Sequence, residues 1–243
     1  MKVSVIIPAL NEAPRIVAAV QSAWAAGADE VIVADGGGSD STAELAEPIA
    51  SCVVRAAAGR GVQQNAGARA ATGEVLLFLH ADTQLEEGAI EQIRQALQEQ
   101  PQRQGGAFRQ RILAARWIYR WLEWGNGLRV SWRGLPYGDQ GLFFRRAFFQ
   151  ELGEFPEVPL MEDLILMRSF RRRVWPLLLP GPLYVSARRW EKHGVVRQTL
   201  RNWLLLAAFH IGVSPQRLAR FYRRHDLNKQ GAASPQNDHE KSC

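Results

Sequence analysis

The segment Glu74 to Thr83, with the sequence EVLLFLHADT, constrains the fold more than any other stretch of the chain. Val75 to Leu79 are apolar without alternation, which is typical of a strand buried on both faces of a parallel sheet. This strand runs directly into His80, Ala81 and Asp82. Ligands of open α/β folds bind at the carboxyl edge of the sheet, where Asp82 would lie. Asp82 therefore either binds a hard divalent cation or caps a turn or the next helix.

Three similar strand-to-helix transitions precede this segment. Apolar runs at residues 3–7, 31–34 and 52–54 are followed by helical patterns at residues 14–26, 42–46 and 62–71, and a helix at 88–100 completes the series. Four β-α repeats predict an α/β fold with a mostly parallel, doubly wound sheet and right-handed crossovers. The later elements predicted are an aromatic-rich helix at 112–128, a strand at 142–144, a helix at 163–172, a strand at 182–186 and C-terminal amphipathic helices at 195–211 and 215–224.

Composition limits the class of protein. A chain of 243 residues with 47% hydrophobic content can bury one large core, and we expect a single domain. The two cysteines are far apart, the N-terminal apolar run does not resemble a signal peptide, and no apolar run approaches the ~20 residues of a membrane span. We expect a cytoplasmic protein, with the inner face of the cell membrane as an alternative site. Residues 226–243 are polar and predicted to be disordered.

The charge is distributed unequally along the chain. Residues 1–100 contain 6 Lys and Arg against 13 Asp and Glu, whereas residues 101–243 contain 24 against 11. The basic half suits anionic lipid headgroups, phosphorylated ligands or nucleic acid, and charge alone does not choose among them.

Polar residues follow the first three strands. Asn11 and Glu12 either cap a helix or bind a base or ribose. Asp35, which is followed by three glycines, is placed to accept a hydrogen bond from a base N–H or a ribose hydroxyl. Arg60 lies between two glycines at a helix entrance, and a guanidinium group there favours phosphate. Asn65 lies on the same helix and is a further donor-binding candidate.

The second half of the chain offers a different set of candidates. Asp139 and Gln140 precede a strand and either meet substrate hydroxyls or close a turn. Asp163 opens a helix, where the helix dipole favours an ionised carboxylate, and capping is the alternative role. The tryptophans of residues 112–128 either pack in the core or form an acceptor or membrane-facing surface. The two C-terminal helices either pack on the domain or rest on a membrane.

Four motifs together resemble the family 2 glycosyltransferases, whose fold is the nucleotide-sugar-binding GT-A domain. They are VSVIIPALNE, IVADGGGSDST, GRGVQQNAGARAATGEVLLFLHADT and the later MED. The segments HADT, YGDQG, MED and RRWEKHG are most similar to a bacterial subgroup of short transferases labelled arsenosugar-type or carotenoid-type. The resemblance implies a domain at 1–225, with a nucleotide-binding half at 1–104, a donor-sugar and acceptor half at 105–193 and C-terminal helices at 194–225.

The resemblance also implies roles for individual residues. Those expected to hold the nucleoside and the donor are Pro8, Asn11, Glu12, Asp35, Ala81, Asp82 and Gly106. The usual DxD pair falls on His80-Ala81-Asp82, so His80 replaces the first carboxylate and Asp82 becomes the main protein ligand of a Mn²⁺ or Mg²⁺ cofactor. Asp163 is expected to act as the general base of an inverting transfer, with Glu162 in support.

A basic segment follows the last predicted strand. Arg188, Arg189 and His193 are candidates to close over the diphosphate, and His193 is either a second metal ligand or solvated. Processive members of the resembling family carry Gln-x-x-Arg-Trp here, and only Arg189-Trp190 matches, with Ser186 at the glutamine position. We therefore expect transfer of a single sugar to a small-molecule or lipid-like acceptor, without long-chain polymerisation.

Two other functions remain open at this stage. A nucleotidyltransferase acting on a sugar phosphate would use a related sheet, although the chain lacks an obvious Lys- and Gly-rich first loop for a triphosphate. A non-catalytic basic module would bind anionic membrane or nucleic acid. Under the leading reading the partners are a nucleotide sugar and an acceptor, with peripheral membrane contact and homo-oligomerisation as options and no nucleic acid.

Overall fold

The computed structural model describes residues 1–227, without the side chains of Arg189, Lys192, His193 and residues 222–227. Disorder was predicted for residues 226–243: residues 226 and 227 belong instead to the last helix, and the polar tail from Asn228 onward lies outside the described residues. Within residues 1–227, no helix combines the length and the apolar character needed to cross a membrane.

The strands of the described chain form a single mixed sheet. They are β1 Val3–Ala9, β2 Glu30–Asp35, β3 Cys52–Arg55, β4 Val75–Phe78, β5 Thr83–Leu85, β6 Gly105–Leu113, β7 Leu142–Arg145 and β8 Leu177–Ser186. Their order in the sheet is β3-β2-β1-β4-β7-β6-β8-β5. The first four are mutually parallel, β7 is antiparallel to both of its neighbours, β6 and β8 are parallel, and β5 is antiparallel to β8.

Helices cover both faces of this sheet. They are α1 Ala13–Ala25, α2 Thr42–Ala46, α3 Arg60–Ala70, α4 Ala89–Glu99, α5 Ile118–Arg133, α6 Arg146–Glu151, α7 Glu162–Arg173, α8 Arg188–His193, α9 Val195–His210 and α10 Pro215–Leu227. A short 3-10 helix, Gly138–Gln140, lies before β7.

The apolar run from Val75 to Leu79 forms the centre of the core. Leu77 packs into a cluster with α1 and α4 on one face of the sheet, and Phe78 packs into a second cluster with α3, α6 and α7 on the other face. The ring of Phe78 contacts the rings of Phe144, Phe149 and Phe155 at centroid distances of 4.9–6.0 Å. A strand covered on both faces needs apolar residues at every position, so the predicted α/β sheet is confirmed.

Parallel pairing brings three strand ends to one edge. The register pairs Ala9 with Asp35 and Ile6 with Phe78. The residues that follow β1, β2 and β4 therefore gather at one end of the sheet, where the predicted ligand residues were expected.

The structure corrects the helix predicted at residues 112–128. Strand β6 continues to Leu113, and α5 begins only at Ile118. Trp117, Trp121 and Trp124 are 72%, 64% and 60% exposed, so the prediction that they pack in the core is wrong. An amphipathic spacing identifies two faces of a helix, and here the face that packs is formed by Tyr119, Ile118 and Leu122.

Two further elements differ from expectation. The basic segment that begins at Arg188, for which no helix was predicted, forms the short helix α8. The short strand β5 follows the His80-Ala81-Asp82 turn directly, and β8 begins five residues before the predicted strand at 182–186.

Candidate active site

Two adjoining cavities lie at the carboxyl edge of the parallel strands. The larger, of about 470 Å³, is named the donor cavity after the donor-binding role predicted for Pro8, Glu12 and Asp82, which line it. It is lined by Pro8, Leu10, Glu12, Ala58, Gly59, Arg60, Val62, Gln63, His80, Ala81, Asp82, Glu157, Val158 and Pro159. Its walls come mainly from residues 1–104, with one wall contributed by the segment before α7.

The smaller cavity, of about 290 Å³, is named the acceptor cavity after the general base predicted at Asp163, which lines it. It is lined by Arg60, His80, Asp82, Tyr137, Asp139, Leu160, Met161, Asp163, Leu164, Val185, Ser186, Trp190, Gln198, Asn202, Leu205 and Leu206. Arg60, His80 and Asp82 line both cavities. These three residues form a common wall, so a molecule in one cavity lies next to a molecule in the other.

The common wall is fixed by the turn between β4 and β5. Leu79 donates its backbone N–H to the Ile6 carbonyl at 2.9 Å, which extends the parallel ladder to the last residue before the turn. The His80 carbonyl then accepts from both the backbone N–H and the hydroxyl of Thr83, at 3.0 and 2.8 Å. Two hydrogen bonds to one carbonyl close the turn; Ala81 lines the donor cavity, and Asp82 lines both cavities.

The first turn of α7 and the 3-10 helix hold Asp163 in place. Its Oδ2 accepts the backbone N–H of Gly138 at 2.6 Å, and its Oδ1 accepts the N–H of Leu164 at 2.7 Å. Both oxygens are thus held in place by hydrogen bonds, while the group still lines the acceptor cavity. A carboxylate fixed beside a cavity has the geometry that a general base requires.

Gly138 allows His80 and Asp163 to approach the same point. A Cβ at position 138 would lie 3.1 Å from Nε2 of His80 and 3.2 Å from Oδ2 of Asp163. These distances are shorter than ordinary van der Waals contacts. Glycine is therefore the residue that lets the strand end carrying His80 and the helix start carrying Asp163 share one site.

Glu162 and Arg60 form an ion pair beneath this site. The Oε1 of Glu162 lies 3.0 Å from Nη1 of Arg60, and the Glu162 side chain is only 2% exposed. Burial raises the pKa of Glu162, Arg60 offsets part of that rise, and the charge of Asp163 adds to it. Arg60, predicted from sequence as a phosphate ligand, thus lies on the common wall and is oriented by Glu162.

A buried polar network supports the Gly138 segment. Gln140 is fully buried, and its Oε1 accepts from the Tyr137 backbone N–H at 3.1 Å and from Nη2 of Arg129 at 2.9 Å. The guanidinium carbon of Arg129 lies 3.4 Å from the centre of the Tyr137 ring, and burial raises the pKa of that tyrosine. Gln140 therefore positions the chain, whereas Asp139 and Tyr137 line the acceptor cavity.

The predicted nucleoside residues divide into two groups. Pro8 and Glu12 line the donor cavity. Asn11 and Asp35 lie outside the lining and hold its loops, because Asn11 Oδ1 accepts from Ser39 N–H at 2.8 Å and Asp35 Oδ2 accepts from Gly37 N–H at 3.0 Å. Asp35 is 6% exposed at the end of β2.

Gln63 lines the donor cavity, although it was not identified as a candidate from the sequence. Its Nε2 donates to the carbonyls of Ala9 and Ala34, at 2.6 and 2.9 Å, and joins the ends of β1 and β2 from the third helix. Only its position one turn into α3, three residues after Arg60, could have drawn attention to it.

Two predicted donor residues have internal roles. Asn65 is 2% exposed, and its amide donates to the Phe155 carbonyl at 2.8 Å and accepts the Phe155 N–H at 3.0 Å. A Cβ at Gly106 would lie 2.2 Å from the Leu177 carbonyl oxygen, so glycine there permits close pairing of β6 and β8. Neither residue is in the lining of these two cavities, and a donor-binding role for either one stays a prediction.

The basic segment contributes one described side chain to the site. Trp190 lines the acceptor cavity and packs edge-to-face on Tyr119 at 6.2 Å. Arg188 is exposed outside the lining, and its backbone N–H donates to the Ser186 hydroxyl at 3.3 Å. The side chains of Arg189 and His193, and with them the proposed second metal ligand, lie outside the described residues.

Few of the described side chains at this site could coordinate a metal ion. Among the described side chains, no three His, Cys, Asp or Glu residues cluster as a cation site. Asp82 offers one half-buried carboxylate on the common wall. A cation such as Mg²⁺ is often held by one or two carboxylates together with substrate phosphates. The described residues do not surround a cation completely. They therefore fit a divalent cation that is bound partly by Asp82 and partly by the oxygens of a diphosphate.

Comparison with solved structures identifies the fold. S. aureus TarS residues 1–349 in complex with UDP-GlcNAc gives a TM-score of 0.63 at 18% identity, covering 76% of this chain and 58% of that one. A second crystal structure of S. aureus TarS gives 0.63 at 16% identity, over 96% and 44%. Mycobacterium tuberculosis glucosyl-3-phosphoglycerate synthase, in complex with Mn²⁺, UDP and glucosyl-3-phosphoglycerate, gives 0.52 at 20% identity, over 76% and 70%.

The chain thus spans about 60% of the TarS fragment 1–349 and less than half of the chain in the second TarS structure. These neighbours are similar in fold, which is the GT-A fold expected from the motifs. None of the curated proteins matches the sequence significantly. Residues 4–153, more than half of the chain, match the family model described as glycosyl transferase family 2. The protein is a member of glycosyl transferase family 2.

Proposed function

We propose that the protein is an inverting glycosyltransferase that moves a single sugar, of the hexose type, from a nucleoside diphosphate to a small-molecule or lipid-like acceptor. The observation that carries this proposal is the common wall. Asp82 lines both cavities, and Asp163 lies across the acceptor cavity with both of its oxygens fixed. A donor in one cavity and an acceptor in the other would meet at this wall.

In the proposed reaction an acceptor hydroxyl oxygen attacks the anomeric carbon of the donor sugar. Its proton passes to Asp163, and a new carbon–oxygen bond forms as the bond from the anomeric carbon to the diphosphate oxygen breaks. The electron pair of that bond leaves with the nucleoside diphosphate. Attack opposite the leaving group inverts the anomeric configuration.

The leaving diphosphate gains charge during this step, and Arg60 on the common wall is placed to offset it. A divalent cation held by Asp82 and the diphosphate would supply further charge stabilisation. Mn²⁺ and UDP in the crystal structure of glucosyl-3-phosphoglycerate synthase, and UDP-GlcNAc in that of TarS, support testing UDP-sugars with Mn²⁺ first. The same chemistry with Mg²⁺ or a GDP-sugar is the next test.

Asp163→Asn tests the base. It should lower the rate of nucleoside diphosphate release by about 10²–10⁴-fold and leave donor binding in place, because it removes only proton transfer. Glu91→Gln, which changes an exposed carboxylate on α4, is the matched control and should have no effect. The assay is coupled detection of UDP or GDP across a panel of nucleotide sugars, with donor binding followed by thermal shift.

Three outcomes would contradict the proposal. Release of pyrophosphate would indicate nucleotidyl transfer, and retained anomeric configuration in the product would exclude single inversion. Salt-sensitive binding to anionic vesicles without turnover of any donor, unchanged in Asp82→Asn and Asp163→Asn, would favour a non-catalytic module.

A further inference from the structure

An apolar groove lies between the last two helices of the described chain. It has a volume of about 870 Å³ and is lined by Val196, Arg197, Gln198, Leu200, Arg201, Leu204, Leu205, Ala208, Val213, Arg217, Leu218 and Phe221. Its volume and mostly apolar lining are those of small-molecule sites. Val196, Leu204 and Phe221 are 65%, 70% and 56% exposed. Apolar side chains left open together in this way mark a binding surface.

The groove adjoins the acceptor cavity. Gln198 and Leu205 line both spaces, and each is almost fully buried, at 5% and 6% exposed. They form the boundary between the groove and the cavity that Asp163 lines. An apolar chain that crosses this boundary beside Leu205 would lie along α9 while the head of the same ligand stays at Asp163.

Charge narrows the chemistry of this ligand. Residues 195–221 contain no Asp or Glu and four arginines, of which Arg197, Arg201 and Arg217 line the groove. Arginine side chains cover apolar surface with their stems and carry their charge at the rim. The groove thus suits an uncharged or anionic amphiphile and disfavours a cationic one.

The chain's own C-terminal segment is a poor alternative occupant. Residues 228–243, NKQGAASPQNDHEKSC, contain no Leu, Ile, Val, Met, Phe, Tyr or Trp. Such a segment has no side chain able to replace the contacts that an alkyl chain would make with Leu200, Leu204 and Phe221.

Building on the proposed function, we infer that the acceptor is an amphiphile. Its hydroxyl-bearing head occupies the acceptor cavity beside Asp163, and its single apolar chain lies in the groove between α9 and α10. The hydroxyl is the nucleophile of the transfer described above, and the chain supplies binding energy away from the reacting atoms.

Binding of n-alkyl β-D-glucosides, from butyl to decyl and below their micellar concentrations, tests the groove. Each methylene buried is worth about 0.8 kcal/mol, so the affinity should rise up to about four-fold per added methylene in isothermal titration calorimetry. Leu204→Asp should remove this dependence. Trp203→Asp is the matched control, because Trp203 is 65% exposed on the same helix and does not line the groove.

Release of nucleoside diphosphate from the donor then tests the connection to the active site. Octyl glucoside should change this rate, either because it acts as the acceptor or because it displaces the water molecule that would otherwise attack the donor. The concentration of octyl glucoside that gives half of this change should equal its dissociation constant. Leu204→Asp should shift that concentration at least ten-fold.

Equal affinity for butyl and octyl glucoside, or equal losses in Leu204→Asp and Trp203→Asp, would overturn the inference. Chain-length-dependent binding that leaves the release rate unchanged would also overturn it. A dimer that Leu204→Asp dissociates, with no binding of octyl glucoside, would identify the groove as a subunit interface instead. Failure of the proposed function would be a separate result. In that case the wild-type protein would release no nucleoside diphosphate from any donor in the assay without amphiphile.

Discussion

Gly138→Ala tests the arrangement around the proposed base. The added methyl group would lie 3.1 Å from Nε2 of His80 and 3.2 Å from Oδ2 of Asp163, so at least one of them must move by a few tenths of an ångström. Gly138 does not have a positive φ, so alanine causes no backbone strain. The substitution therefore perturbs the site and not the loop.

The expected fall in kcat follows from the hydrogen bond between Gly138 and Asp163, which the substitution would disturb. The Gly138 N–H donates to Oδ2 of Asp163 at 2.6 Å, and a hydrogen bond to a charged group contributes about 1.5–3 kcal/mol. If this is lost where the base acts, kcat should fall by about 10- to 150-fold. The melting temperature and the KM for the donor should change little, because the donor cavity is not lined by Gly138.

Steady-state release of nucleoside diphosphate with the donor found by screening is the assay. Gly125→Ala is the control, since a Cβ there meets no atom within 4 Å and alanine should stabilise α5 by about 0.5–1 kcal/mol. In the double variant with Asp163→Asn, the Gly138 effect should largely disappear, because both changes act on one group. A wild-type kcat in Gly138→Ala, or fully additive effects in the double variant, would refute the reasoning.

Three other substitutions have defined outcomes. Asn65→Ala should lower the free energy of unfolding in urea by about 2–4 kcal/mol, because it leaves the buried N–H and carbonyl of Phe155 without partners, with kcat unchanged; a loss below 1 kcal/mol would contradict this role. Burial raises the pKa of Glu162, so the folded state keeps a proton that the unfolded chain releases above about pH 4.5, and stability falls as pH rises through the raised pKa. The melting temperature of Glu162→Gln should therefore depend less on pH between pH 4.5 and 8 than that of the wild type. An equal pH dependence in the two proteins would contradict the raised pKa of Glu162. Trp121→Ala should change the free energy of unfolding by less than about 0.5 kcal/mol, since this side chain is 64% exposed. A larger loss would indicate that Trp121 packs in the core after all.

Much of the fold could be predicted because its signals are local. The unbroken apolar run before His80 identifies a central strand, and the rule that ligands gather at strand ends brings Asp82 to the right edge. The start of α7 at Glu162 was similarly visible, since two carboxylates open a helical pattern.

The remaining features depend on contacts between distant segments. The approach of Gly138 to His80 requires β7 to pair antiparallel beside β4, which no local pattern announces. Asn65 and Gln63 lie two residues apart on one helix, yet Asn65 holds the Phe155 backbone and Gln63 joins two strands. Their spacing does not reveal which of the two faces a cavity.

The wall shared by the two cavities also bears on how such an enzyme diversifies. Substitutions at Pro8 or Val158 reach only the larger cavity, and those at Leu160 or Leu206 reach only the smaller one. Preference for one substrate can therefore drift without disturbing the other. At His80 and Asp82 that independence ends, so a new residue there must satisfy both molecules at once, and these positions should tolerate the fewest replacements in a saturation library selected for turnover.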